Sequence, residues 1–329
     1  CLMSTELDTN RMSLVEAADA VKQVKHNISR VLVGQDAIVE DVLTVLFAGG
    51  HVLLEGVPGL GKTLLVRALA KSLSVNFSRV QFTPDLMPSD VVGHSLYDMK
   101  SGEFNIKKGP AFTNILLADE INRAPAKTQS ALLEVMQEQQ ITIDGESLLI
   151  NSPFMVLATQ NPLDQEGTYP LPEAELDRFM MKVELGFPSH ESEVELLKLN
   201  TQIVSNESKV EQLPAVLDAK RIAEIKQLCA DILVDEQILN YAVDIVRSSR
   251  TWQGVLHGAG LRASINIIKA AKVMALMNGR DFVTPDDVKL VSPNILRHRL
   301  ILSADLELEG VSFDEVISAI LASVEAPRS

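Results

Sequence analysis

Cysteine is almost missing from this 329-residue chain: Cys1 and Cys229 lie far apart and form no C-x-x-C pair. That excludes a disulfide framework and fits a reduced, cytosolic setting. The six histidines, His26, His51, His94, His190, His257 and His298, are scattered with no pair at zinc-ligand spacing, which disfavours a zinc site. No stretch approaches the ~18 uninterrupted apolar residues of a membrane span. The opening "CLMSTELDTNRM" is polar and acidic, so no secretory signal is expected there. Positive charge is also scarce. Forty-four acidic residues against 30 basic ones leave a net charge of −14, and the densest basic spots are only Lys107-Lys108 and Arg297-His298-Arg299. Nucleic acid as the main substrate is therefore disfavoured. No repeat or low-complexity tract is seen. What remains is a chain that is 46% hydrophobic, with room for a main domain and a smaller second one.

The most informative stretch is "GVPGLGKT". Gly56-x-x-x-x-Gly61-Lys62-Thr63 follows the apolar run His51–Glu55 and precedes a helical pattern, Leu64, Leu65, Ala68 and Leu69. This is the phosphate-loop motif in its required strand–loop–helix context. Gly56, Gly59 and Gly61 permit dihedrals that turn successive backbone N–H groups inward around an anion. The next helix adds its positive N-terminal end. Lys62 is expected on the β- and γ-phosphates and Thr63 on Mg²⁺.

Apolar periodicity predicts a first helix over 14–31, and a second closing at Ala48 with Asp36 as its cap. Five apolar runs read as strands: His51–Glu55, Phe77–Phe82, Ile115–Asp119, Phe154–Thr159 and Met181–Leu185. Continuous runs such as "ILLAD" point to a parallel sheet covered on both faces. Two further stretches read as hairpins, around Ser101-Gly102 and, more strongly, around Asp144-Gly145, a pair suited to a type I′ turn. Past residue 187 the strands stop and a second, all-helical domain is expected. The boundaries are 1–187 for the nucleotide-binding core and 188–329 for the helical part.

Chemistry gathers at strand ends. "ILLADEIN" finishes in Asp119, expected to hold Mg²⁺ through water, and Glu120, expected to polarise the attacking water. "LATQNP" finishes in Gln160-Asn161, where an amide can share that water, and "ELDRF" supplies Arg178. In the helix beginning near 261, Leu261, Ile265, Ile268, Ala271 and Ala275 read as the buried stripe, with Arg262, Asn266 and Lys269 on another face. A cation in the first helical turn opposes the helix dipole, so a phosphate partner for Arg262 is worth proposing.

These pieces, in this order, resemble the AAA+ ATPases, and within them the MoxR family. "LLEGVPGLGKT", "QFTPDLMPSDVVG", "LLADEINRAPAKTQSALLEVMQE", "ATQNP", "PLPEAELDRF" and "GRDFVTPDDV…ILRHRL" carry the resemblance, from about Val31 to about Leu302. One departure is visible. The family usually reads Gly-Ala-Ser-Pro-Arg where this chain has Gly258-Ala259-Gly260-Leu261-Arg262, so the arginine is kept and the turn before it is open to difference.

The resemblance implies an α/β core with five parallel strands in the order 5-1-4-3-2, an all-α lid, and ATP with Mg²⁺ bound between them. It implies nucleotide contacts from Gly34 and Gln35 beside the adenine and from Gly56, Val57, Pro58, Gly59, Leu60, Gly61, Lys62, Thr63 and Leu64. Thr63 and Asp119 are the implied metal residues and Glu120 the catalytic carboxylate. Asn161 matches sensor 1, Arg178 an arginine finger acting in trans, and Arg262 the sensor-2 arginine, taken to reach the phosphates of its own subunit. The hairpins match the helix-2 insert and pre-sensor-1 hairpin of a clade that includes magnesium chelatase and replicative helicases. The implied activity is that of a cytoplasmic ATPase, a homo-oligomeric, hexameric ring. It would remodel or help metallate a partner protein with a von Willebrand A domain. The alternatives are a nucleotide-gated scaffold with little turnover and, with less support, a DNA-dependent motor.

Overall fold

The computed structural model describes residues 12–56, 61–100, 102–162, 167–200 and 206–327. Two helices open the fold, α1 (Leu14–Ser29) and α2 (Asp36–Ala48), followed by β1 (Val52–Gly56), α3 (Lys62–Ser72), β2 (Phe77–Gln81) and α4 (Pro88–Val92). Next come β3 (Gly93–Asp98), β4 (Glu103–Lys108), β5 (Ile115–Asp119), a 3₁₀ turn at Ile121–Arg123, α5 (Ala126–Glu138), β6 (Gln140–Ile143) and β7 (Glu146–Leu149). β8 (Met155–Gln160), α6 (Glu173–Leu176) and β9 (Met181–Leu185) complete the core. The remainder holds α7 (His190–Asn200), α8 (Asn206–Glu211), α9 (Ala219–Asp231), α10 (Glu236–Thr251), β10 (Val255–His257), α11 (Leu261–Met277) and α12 (Pro285–Leu296). β11 (Ile301–Leu302), α13 (Ala304–Leu308) and α14 (Phe313–Ser323) end it.

The sheet runs β2-β5-β8-β1-β9, all parallel, which is the expected order 5-1-4-3-2 counted over its five strands. Side chains alternate across a strand. Val52 and Leu54 therefore join one hydrophobic cluster, with α1, α2 and α3, while Leu53 joins the other, with Leu132 and Leu133 of α5. The result is a three-layer α/β core. The first cluster continues without a break into α9–α12, so a boundary at 187/188 divides the chain but not the apolar core.

Local turn chemistry shapes both hairpins. β6 and β7 pair around Asp144 (φ 50°) and Gly145 (φ 84°), the two positive φ values a type I′ turn needs. β3 and β4 pair through six residues around Gly102 (φ 72°), and Ser101 lies outside the described residues.

Three expectations need correction. Asp36 is not the cap of α2 but its first residue; Gln35 stands at the cap and its side chain does not bond the first-turn N–H groups, and the Asp36 carboxylate accepts from the Ser29 hydroxyl. The helical lid is present, yet β10 and β11 pair antiparallel within it, bridging two loops too short to show strand periodicity. Finally, Leu261 is 69% and Ile265 47% exposed, while Ala263, Asn266, Ile267, Ala270 and Ala271 are buried. Helix α11 is surrounded by α1, α2, α9, α10 and α12, so its small residues line the contacts and one mixed strip is left outside.

Candidate functional site

Gly56 ends β1 where β9 comes close: a Cβ there would lie 2.6 Å from the Leu185 Cβ. Gly61 caps α3 at φ 80°, a conformation that favours glycine. It offers no side-chain acceptor, so the first N–H groups of α3 stay available to an anion. Val57, Pro58, Gly59 and Leu60 lie outside the described residues. Lys62 opens the helix, and its Nζ donates to the Gly56 carbonyl at 3.1 Å. Burial lowers the Lys62 pKa, while Asp119 and Glu120 oppose that shift and favour the cation.

The carboxylates face this helix end from β5. The Thr159 hydroxyl donates to Asp119 Oδ1 at 2.6 Å and accepts the Glu120 N–H at 2.8 Å, tying both residues to β8. Glu120 sits in the left-handed region (φ 56°, ψ 51°), an uncommon place for a residue with a side chain. Its Oε2 accepts from Gln81 Nε2 at 2.9 Å and Arg123 Nη1 at 3.3 Å. Lys62, Thr63 and Leu64 line one cavity of about 500 Å³ together with Asp119, Glu120, Asn161, Arg67, Arg79 and Gln81. Gln160 turns away, donating to Glu55 at 2.7 Å, so of the two adjacent amides only Asn161 faces the cavity.

A hydroxyl and a firmly held carboxylate in one cavity suit a hard cation that keeps waters and takes further oxygens from phosphates. Among the described residues no cluster of three or more His, Cys, Asp or Glu could hold a metal by itself.

Gly34 and Gln35 are not among the residues lining this cavity. Gly34 (φ 76°) instead abuts Ser192 of α7, where a Cβ would lie 2.5 Å from the Ser192 Oγ.

Arg178 and Arg262 lie elsewhere. They line a second cavity of about 370 Å³ with His51, Gln137, Gln139, Met180, Ile265 and Lys269. His51 immediately precedes β1 and Met180 immediately precedes β9, so this cavity is at the N-terminal end of the strands. The phosphate loop leaves the opposite end, about 13 Å away along a five-residue strand. Arg262, expected at the phosphates of its own subunit, does not line the phosphate cavity: its Nη1 pairs with Asp177 at 2.9 Å, and it lines the second cavity with Arg178.

The segment carrying Arg178 is held by a residue that motif reading did not single out. Arg299 is buried, pairs with Asp177 Oδ1 at 2.7 Å, and donates to the carbonyls of Asp177 (3.0 Å), Phe179 (2.7 Å) and Met180 (3.1 Å). Arg297 pairs with Asp314 at 2.8 Å, and His298 Nε2 lies 2.9 Å from the Phe179 carbonyl. The Arg297-His298-Arg299 run, counted above as a basic spot, is thus internal scaffolding: His298 and Arg299 hold the Arg178 loop, and Arg297 ties the Lys182 carbonyl of β9 to α14. The family-like string "ILRHRL" was the only signal for it.

The chain is similar to known proteins over nearly its whole length. The model of the ATPase family associated with various cellular activities (AAA) matches residues 51–181, and that of the AAA lid domain matches 249–320. The uncharacterised protein YeaC of Bacillus subtilis is 45% identical over 93% of this chain and 94% of its own length. Chaperone MoxR1 of Mycobacterium tuberculosis is 45% identical over 92% of this chain and 81% of its own. A crystal structure from Cytophaga hutchinsonii, provisionally identified as an ATPase, superposes with a TM-score of 0.88 at 42% identity, covering 96% of this chain and 97% of that one.

Proposed function

The chain belongs to the MoxR family of AAA+ ATPases, and from that membership we propose that it couples Mg-ATP hydrolysis in a ring to the remodelling of a partner protein. The observation that carries this reading is the convergence of Lys62, Thr63, Asp119, Glu120 and Asn161 on one cavity at the start of a helix. Lys62 and the free N–H groups of α3 bind the β- and γ-phosphates. Thr63 and Asp119 hold the magnesium ion, which when bound offsets the negative charge of the triphosphate. Glu120 accepts a proton from the attacking water, and Asn161 orients that water.

Arg178 and Arg262 act together on the nucleotide of a neighbouring copy. Their position at the far end of the strands, in a cavity with Lys269, supports a site completed only by assembly. The exposed strip of α11, Leu261 and Ile265 beside these cations, suits a contact between copies. We assign residues up to 187 to the nucleotide-binding core and those beyond it to the lid. The β3–β4 hairpin is the surface offered to the partner, a protein carrying a von Willebrand A domain. No helix among the described residues is long and apolar enough to cross a membrane.

Two variants test the roles. Lys62→Ala is expected to abolish nucleotide binding, because the cation facing the phosphates is gone. Glu120→Gln is expected to bind ATP and stall, since the phosphate and metal ligands remain. Calorimetry showing an equal loss of ATP affinity in both would count against the reading.

A further inference from the structure

We propose that Arg79 is a resident counter-ion of Asp119 that the incoming divalent cation must displace, so that this arginine weakens the response of nucleotide binding to metal. The inference rests on the assignment of Asp119 to the metal.

β2 is the edge strand of the sheet, and its register sets Gln81 opposite Asp119. Residues two apart share a face of a strand, so Arg79 and Gln81 both lean over the end of β5. Arg79 grips Asp119 Oδ2 with two N–H groups, at 2.6 Å from Nη2 and 3.2 Å from Nε. The same Nη2 donates to Gln81 Oε1 at 3.0 Å, while the Gln81 amide donates to Glu120. One guanidinium therefore supports the hold on both carboxylates.

A carboxylate offers about four lone-pair directions. Thr159 uses Oδ1 and Arg79 uses Oδ2 twice, leaving little for the waters of a hydrated cation. Two cations beside one carboxylate also repel each other. The Arg79 side chain is 46% exposed while Asp119 is only 16% exposed, so the arginine can swing toward solvent and the carboxylate cannot. The fork geometry of guanidinium suits this carboxylate better than a lysine ammonium would.

The test measures affinity for a non-hydrolysable ATP analogue by calorimetry, in excess Mg²⁺ and in EDTA. It compares wild type, Arg79→Gln and Arg79→Lys. The readout is the ratio of the dissociation constant in EDTA to that in Mg²⁺. Removing Arg79 should tighten binding with the metal and, by leaving Asp119 uncompensated near the phosphates, weaken it without. Both arms raise the ratio, by about threefold to tenfold for Arg79→Gln given the strength of a half-exposed ion pair. Arg79→Lys should fall between. Mn²⁺ titration of the analogue-loaded proteins, followed by electron paramagnetic resonance, should show tighter metal binding in the same order. An unchanged or lowered ratio in Arg79→Gln, with a wild-type ratio well above one, overturns this inference alone. A wild-type ratio of one overturns the metal role of Asp119 and this inference with it.

Discussion

Replacing Arg178 by alanine should separate nucleotide binding from hydrolysis. The side chain lies among the residues of the second cavity, at the N-terminal end of strands whose opposite end carries the phosphate loop. A separation of about 13 Å along β1 puts its own nucleotide out of reach, and the variant should keep wild-type ATP affinity. An arginine finger contributes roughly 10³–10⁵ in rate, or about 4–7 kcal/mol of barrier. Hydrolysis should fall by that order. The assay is steady-state phosphate release at several protein concentrations, and wild-type specific activity should climb as assembly proceeds. Mixed one-to-one with Lys62→Ala, the variant should regain activity, because Lys62→Ala subunits still offer their arginines to intact nucleotide sites. Random mixing creates such interfaces in on the order of a quarter of cases in a head-to-tail ring. A rate independent of concentration, with no rescue in mixtures shown to co-assemble, would make Arg178 an intrasubunit structural residue.

Two other outcomes are expected. On the β3–β4 hairpin Met99 is 90% and Phe104 72% exposed, and the Phe104 ring meets that of Tyr97 at 5.1 Å between centroids, so replacing both by serine should lower stability by no more than about 1.5 kcal/mol. ATP affinity and basal turnover should stay unchanged while stimulation by the partner is lost; normal stimulation would remove the hairpin from the output path. Asp41 of α2 is half-buried beside Glu40 and accepts from Asn294 at 2.8 Å, and its loss of water and the neighbouring carboxylate push its carboxyl pKa up to about 7. Between its usual value near 3.8 and that value the folded chain holds a proton the unfolded chain has released. Its contribution to stability is therefore full in acid and lost as pH rises through 7, at up to about 1.4 kcal/mol per pH unit. Asp41→Asn should flatten this slope in urea unfolding between pH 5 and 8, and an equal slope in both proteins would refute it.

The sequence by itself determined whatever depends on neighbours along the chain. The phosphate loop, the carboxylates finishing "ILLAD" and the Asp144-Gly145 turn are legible because each is a local event: a strand ending, a helix starting, two residues accepting positive φ. Five apolar runs likewise announced a buried parallel sheet. Tertiary structure alone decided where the arginines go. Asp177 meets Arg262 across 85 positions and Arg299 across 122, and Arg79 meets Asp119 across 40. Those meetings follow from strand order and from how the lid shares its core with α1 and α2. Helical periodicity also misjudged Leu261 and Ile265, because a helix enclosed by five others can bury small residues on several sides and leave larger ones on its one open strip. Local sequence specifies a conformation, but only packing says which end of the sheet a long cationic side chain will face.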